Sequence, residues 1–270
     1  MCALPLRSHR GAYPPFSDHV PASTAQTDTY EVGFAQSEGE LDAIQRLRFR
    51  VFNLELDEGL DESFLTGKDE DPFDATCHHL LVRERRTNQI IGTYRLQTYA
   101  MAEAGIGFYS ATEYDLSDMP LPYQQGAVEI GRACIAKAHR SLEVLYLLWR
   151  GLGMYMNHNH KRYLFGCCSL TSQDPEEGKQ VMDFLEAKGH THPEMRLRAL
   201  PELQCYPEGF EAPAVARPKV PRLMRVYLSM GATICSDPAL DRMFKTIDYL
   251  AFFDAETMDP RTSAYFQYTG

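Results

Sequence analysis

Ala127-Val128-Glu129-Ile130-Gly131-Arg132-Ala133-Cys134-Ile135-Ala136 is the stretch on which the fold turns. It is an apolar run of strand length, and it carries two opposite charges. Side chains alternate along a strand, so Glu129 and Arg132 would face opposite sides of a regular one. Gly131 sits between them. A bulge at Gly131 would insert one residue and bring both charges to one face, an arrangement common beside active sites. The plainer reading is a structural ion pair at a sheet edge.

Downstream, Leu142, Leu145, Trp149, Leu152 and Met156 form one helical stripe. Arg162–Leu170 is almost wholly apolar, which predicts a central strand. Asp174-Pro175-Glu176-Glu177 is a helix start with a cap and an early proline, and the helix runs to Lys188 and stops at Gly189. Residues 190–221 are proline-rich and aperiodic. A short helix over Pro221–Met230 is closed by Gly231, and Ala232–Ser236 and Thr246–Phe253 read as strands.

Upstream, His79–Arg83 and Ile90–Gln97 flank the turn residues Arg85-Arg86-Thr87-Asn88, and Ala102–Gln125 is irregular. Ser37 and Glu40 make a capping box for a helix through Leu41, Ile44, Leu47 and Val51, ending near Leu56. Glu55–Asp74 is an acid-rich loop. Pro5, Pro14, Pro15 and Pro21 lie among small polar residues, so residues 1–28 are expected to be a disordered tail and 29–270 one domain. The element order predicts a mixed α/β layer fold and excludes a barrel of repeated units.

The 270 residues are 44% apolar, enough for one sizeable core, and 24% charged, which excludes wholesale disorder. No apolar run approaches the ~20 residues of a membrane span. No export signal opens the chain, and seven cysteines are an odd number, so they read as reduced thiols in a cytosol. A net charge of −10 argues against nucleic acid as partner.

Several short patterns could carry chemistry. Arg48 and Phe52 share one helix face. Asp71-Pro72-Phe73-Asp74 precedes a strand, and Arg95 stands inside the strand Gly92-Thr93-Tyr94-Arg95-Leu96. A buried strand arginine needs a partner. Taken singly, each has a bland reading as a surface charge, an acidic turn or a core ion pair. Cys77-His78-His79 lacks zinc-ligand spacing, Cys167-Cys168 reads as core packing, and no nucleophile elbow is present, so no metal is expected.

In order, Arg48 with Phe52, Asp71 with Asp74, Arg95, then Glu129 with Arg132 resemble the acyl-homoserine-lactone synthases, a branch of the GNAT acyltransferases that draws on acyl carrier protein. The wider context is similar to a sister group. Phe73-Asp74-Ala75-Thr76-Cys77-His78-His79-Leu80-Leu81-Val82, Gly107-Phe108-Tyr109-Ser110, Glu129-Ile130-Gly131-Arg132-Ala133-Cys134-Ile135 and Leu148-Trp149-Arg150-Gly151-Leu152 resemble the ornithine N-acyltransferases of ornithine-lipid synthesis, often labelled haemolysin-like.

The resemblance implies an α+β fold of GNAT type, with a mixed, centrally splayed sheet flanked by helices. It also implies an N-acyltransferase joining a fatty acyl group, with or without a 3-hydroxyl, from acyl carrier protein to the α-amine of an amino acid, with ornithine expected. Glu129, Arg132, Arg95, Asp74 and Asp71 would form the catalytic cluster. Arg48 and Phe52 would contact the acceptor. Ile130, Gly131 and Ala133 would lie along the pantetheine. The carboxylates Asp71, Asp74 and Glu129 are expected to meet the acceptor's ammonium groups, and Arg48, Arg95 and Arg132 its carboxylate.

Where GNAT enzymes carry a glycine-rich pyrophosphate turn, Ala136-Lys137-Ala138-His139-Arg140-Ser141 has no glycine. Lys137, Arg140 and Arg150 are therefore expected to meet the acidic carrier protein. Glu58 stands near where the lactone synthases have a tryptophan, which argues against an S-adenosylmethionine acceptor. The co-substrate would be acyl carrier protein, with no resident cofactor. The enzyme would be cytoplasmic, with peripheral contact to the inner membrane for product release. The competing readings are a lactone-type or other N-acyl amino acid synthase, a coenzyme-A-dependent acetyltransferase on a small amine, and a membrane-lytic protein. The last finds no basic amphipathic helix in the sequence.

Overall fold

The computed structural model describes residues 13–269. In chain order its strands and helices are β1 (Ala25–Gln26), β2 (Tyr30–Phe34), α1 (Glu38–Phe49), α2 (Ser63–Thr66), β3 (His78–Glu84), β4 (Gln89–Thr98), α3 (Tyr99–Ala104), α4 (Leu121–Gly126), β5 (Ala127–Ile135), α5 (Leu142–His158), β6 (Tyr163–Leu170), α6 (Pro175–Ala187), α7 (Arg222–Ser229), β7 (Thr233–Ile234), β8 (Ala239–Asp241), β9 (Thr246–Asp254) and α8 (Pro260–Phe266). They build one mixed sheet ordered β1-β2-β3-β4-β5-β6-β9-β7, with β8 also on β9. Every neighbouring pair is antiparallel except β5 with β6.

Helix α5 starts at Ser141, whose side chain accepts from the Val144 N–H, and it buries Val144, Leu148, Leu152 and Met156 against one face of the sheet. Helix α1 starts at Ser37 as expected and packs Ile44 and Leu47 with Leu81 and Ile90. It continues into a wider π-helical turn, Arg50–Glu55, before ending. Among the described residues, no helix is long and apolar enough to cross a membrane.

The central feature is where β5 and β6 part. Their parallel pairing covers Ala127–Tyr163, Val128–Leu164 and Glu129–Phe165 and then ends. Beyond it β5 stays with β4 and β6 stays with β9, so a crevice opens between the two strands. This is the splay the sequence led us to expect. At the apex, a Cβ on Gly166 would run into the Ile130 carbonyl oxygen. Gly166→Ala must push the strands apart there, and overpacking of this kind costs about 1–3 kcal/mol. A thermal midpoint equal to wild type would show that the apex is not close-packed.

The structure departs from the sequence reading near the N-terminus. Residues 1–12 lie outside the described residues, but from Tyr13 on the chain packs against the body where a free tail was expected through residue 28. The Tyr13 hydroxyl and His79 Nδ1 are 3.0 Å apart, His78 Nε2 lies 2.6 Å from the Pro15 carbonyl, and Val20 joins the main core. Strand β2 was also missed. Its Val32 and Phe34 are buried, but five residues beside a polar stretch give too short an alternation to read.

Candidate active site

The bulge forms one residue later than expected. Between the Thr93–Cys134 and Arg95–Gly131 pairs, β5 takes three steps to the two of β4. The strained residue is Arg132, with φ +50°, and not Gly131. A non-glycine residue in that region costs energy and persists where the surroundings hold it. The outcome is the expected one, because Glu129 and Arg132 both line the same cavity.

Arg132 is held by a buried charge network. Arg48, fully buried, donates through Nε to Asp69 at 2.6 Å and through a terminal nitrogen to Asp74 at 2.7 Å. Arg95 donates to both oxygens of Asp71, at 2.6 and 2.7 Å, and to Asp74 at 3.1 Å. Arg132 reaches Asp71 at 3.0 Å. Gln45 donates to the other oxygen of Asp74 at 3.0 Å, and His79 lies 3.3 Å from the first. Burial alone would raise the Asp74 carboxyl, but the Arg48 guanidinium and the contacts of His79 and Arg95 outweigh it and hold it well below the usual range. Burial keeps His79 below the ordinary imidazole value despite Asp74.

This network corrects part of the assignment. Arg48, Asp71 and Asp74 were expected to meet the acceptor, yet all three stand outside the cavity wall and are already paired, Arg48 with Asp69 and Asp74, and Asp71 with Arg95 and Arg132. They fix the positions of Arg95 and Arg132. Asp69, which the sequence reading passed over as part of a solvated loop, is 1% exposed and completes the charge balance.

The cavity itself has a volume of about 300 Å³ and fills the crevice between β5 and β6. Phe52, Arg95, Glu129, Ile130, Gly131, Arg132 and Ala133 line it. Lys137, Arg140 and Arg150 do not line it; Arg140 donates to both oxygens of Glu55, at 2.5 and 2.8 Å. Where the main core borders the cavity, the wall is apolar and aromatic: Tyr94, Trp149, Leu152, Leu164, Phe253 and Phe266. Such a wall suits an acyl chain.

Glu129 is buried and accepts from the backbone N–H groups of Tyr109, at 2.9 Å, and Ser110, at 2.7 Å, one on each oxygen. Burial raises its pKa; the Ser110 and Tyr109 hydrogen bonds and the Arg95 charge pull it back only in part. Tyr109 also lies beside both guanidinium groups, 5.2 Å from Arg95 and 5.0 Å from Arg132, and Phe244 covers Arg132 at 4.3 Å.

Sequence reasoning singled out Gly107-Phe108-Tyr109-Ser110 but gave Tyr109 and Ser110 no role. It also missed Glu113 and Asp248, both on the cavity wall, and took Cys167 for packing. Cys167 in fact donates to Glu113 at 3.4 Å. The signal for Asp248 was available: a lone acid inside the apolar run Thr246–Phe253, the same anomaly that marked Glu129.

A splayed mixed sheet, a bulged strand at the splay and a buried carboxylate facing a half-apolar crevice define an N-acyltransferase of the GNAT fold. The acetyltransferase (GNAT) domain family matches residues 47–150. The chain belongs to the L-ornithine N(alpha)-acyltransferase family. It is 32% identical over 247 residues to that enzyme from Brucella abortus, covering 87% of this chain and 88% of the relative. It is 31% identical over 249 residues to the one from Agrobacterium fabrum, covering 88% and 85%. Among solved structures, FeeM, an N-acyl amino acid synthase from uncultured soil microbes, is 11% identical with a TM-score of 0.49, covering 87% of this chain and 93% of its own.

Proposed function

We propose that this enzyme transfers a fatty 3-hydroxyacyl group from the thioester of acyl carrier protein to the α-amine of ornithine. The observation that carries the reading is the buried Glu129 carboxylate on the wall of the crevice where β5 leaves β6. Glu129 takes a proton from the acceptor's α-ammonium. The freed amine attacks the thioester carbonyl, and the tetrahedral oxyanion is met by backbone N–H groups on the edge of β5 that has lost its strand partner. Collapse breaks the C–S bond, and the proton that the new amide nitrogen sheds passes to the departing pantetheine thiolate, which leaves as the thiol. Arg132 holds the acceptor's α-carboxylate. Its side chain lines the cavity while ion pairs to Asp69, at 3.5 Å, and Asp71, at 3.0 Å, hold it in place, and a planar guanidinium suits a carboxylate. Incubation of the purified protein with 3-hydroxyacyl-loaded carrier protein and ornithine, followed by mass analysis, tests the reading. A lyso-ornithine lipid is expected; product only from acetyl coenzyme A or S-adenosylmethionine would overturn it.

Docking of the carrier is assigned to Lys137, Arg140 and Arg150. Arg140 is already paired with Glu55, so reversing it acts on both. Arg140→Glu is expected to raise the KM for acyl carrier protein several-fold and to flatten its salt dependence, while Glu55→Gln, which frees Arg140, lowers KM. Unchanged KM in both variants would remove Arg140 from the docking surface. Peripheral membrane contact is assigned to the exposed Leu54, Leu56, Phe64 and Leu65, of which Leu56 also lines the cavity.

A further inference from the structure

We infer that Glu113, Asp248 and Asp241 form a seat for the side-chain ammonium of a diamino-acid acceptor, a proposal that rests on the acceptor reading above and supplies its specificity. One carboxylate oxygen from each of the three converges, all within 4.8 Å of one another. Glu113 and Asp248 are 2% and 3% exposed, and both lie on the wall of the same cavity as Glu129. Their other oxygens are taken. Glu113 Oε2 accepts from the Cys167 thiol, Asp248 Oδ2 accepts from the Thr246 hydroxyl at 2.9 Å, and Asp241 Oδ1 accepts from the N–H groups of Met243, at 2.7 Å, and Phe244, at 3.0 Å. The remaining oxygens, Glu113 Oε1 and Asp248 Oδ1, have no hydrogen-bond partner among the described residues. Buried acceptors left open in this way are costly and call for a donor.

No cationic side chain forms an ion pair with these three acids among the described residues. Instead, burial and the mutual repulsion of Glu113, Asp241 and Asp248 raise the Glu113 carboxyl well above its usual value, and burial with Asp241 and Glu58 nearby raises Asp248 to about 6. A cation in the seat would reverse this. An alkylammonium offers three N–H donors on a compact charge, which matches convergent carboxylates.

The seat also lies within a short chain of the base. Ser110 donates its N–H to Glu129, its hydroxyl lies 3.7 Å from the Cys167 sulfur, and Cys167 donates to Glu113. An acceptor with its α-amine at Glu129 and its carboxylate at Arg132 can therefore place a second amine, carried on a short aliphatic tether, at Glu113 and Asp248. Apart from those two acids and Asp241 beside them, the acceptor needs only the positions already assigned.

The experiment compares ornithine with norvaline, which has the same carbon chain and no side-chain amine. Wild-type kcat/KM is expected to favour ornithine by at least about 100-fold, because a site built to pair a charged group rejects an analogue that leaves it unpaired. In Asp248→Asn and Glu113→Gln, both close in shape to the native residues, that preference is expected to fall by at least about tenfold. If both acceptors lose activity in equal proportion, the cluster is structural and the inference is overturned.

Thermal shifts without any acyl donor provide an independent readout. Ornithine, and not norvaline, should raise the wild-type midpoint, and neither should raise that of Asp248→Asn. This separates the two claims. If ornithine is never acylated but the shift pattern holds, the acyl-transfer reading falls and the seat stands. If Mn²⁺ raises the wild-type midpoint, fails on Asp248→Asn, and ornithine has no effect, the cluster is a divalent-cation site and the inference falls.

Discussion

Glu129→Gln is expected to lower turnover by about 10²–10⁴-fold, the usual effect of losing a general base. The substitution keeps the shape of the side chain and removes its capacity to take the ammonium proton. It also has a structural cost. Both carboxylate oxygens accept backbone N–H groups, from Tyr109 and Ser110, and an amide can satisfy only one of them. A loss of about 1–3 kcal/mol in stability should therefore accompany the loss of rate. The two effects are separable by assaying well below the variant's unfolding midpoint. The pH profile gives a second test. The base works ionised, and burial raises its pKa, so wild-type kcat/KM should fall with decreasing pH on a limb above the ordinary glutamate range. That limb should be missing from the residual activity of Glu129→Gln. A folded variant with near-normal turnover would show that Glu129 only anchors the Tyr109–Ser110 turn.

Arg48→Met should be the most damaging substitution in the charge network, although Arg48 does not itself line the cavity. It removes the cation that Asp69 and Asp74 share and leaves both carboxylates buried. Breaking a buried pair by deleting one partner costs about 3–5 kcal/mol, a large share of the ~5–15 kcal/mol that holds a domain together. Urea unfolding at neutral pH would read the loss. Arg48→Lys should lie between the two, since it keeps the charge and loses the fork that reaches both aspartates.

The dependence on acid follows from Asp74, whose folded pKa is depressed. Its stabilisation is fully present above the unfolded value and is lost as pH falls through the folded one. The difference between wild type and Arg48→Met should therefore narrow below about pH 4, where the unfolded aspartates protonate. A difference that is small and independent of pH would mean the network contributes little, and that Arg132 is held in its strained backbone by packing under Phe244 and Tyr109 alone.

Much of this was legible in the chain itself. A strand is written in local chemistry: β-branched and apolar residues over 127–136, a glycine between opposite charges, and the consequence that a regular pleat cannot put both on one face. That was enough for the bulge and the shared face of Glu129 and Arg132, and the apolar run after it for the central place of β6; the splay beside it was expected only from the family resemblance. The position of the strain, on Arg132 instead of Gly131, was not readable, because it depends on how β5 registers against β4.

What only the tertiary structure decided is which charges face the cavity. By sequence, Asp71 and Asp74 were as good an acceptor site as any, and Asp248 was a residue in a late strand. Their fates depend on contacts between distant segments. Helix α1 carries Arg48 over the 69–74 segment and neutralises it there, leaving nothing for a ligand. Strand β9 pairs with β6 and brings Asp248 beside Glu113 and Cys167, and among the described residues no arginine forms an ion pair with it. A carboxylate's role is set by whether its countercharge is supplied within the fold or left to a substrate. That is a property of non-local pairing, on which the local period of a sequence is silent.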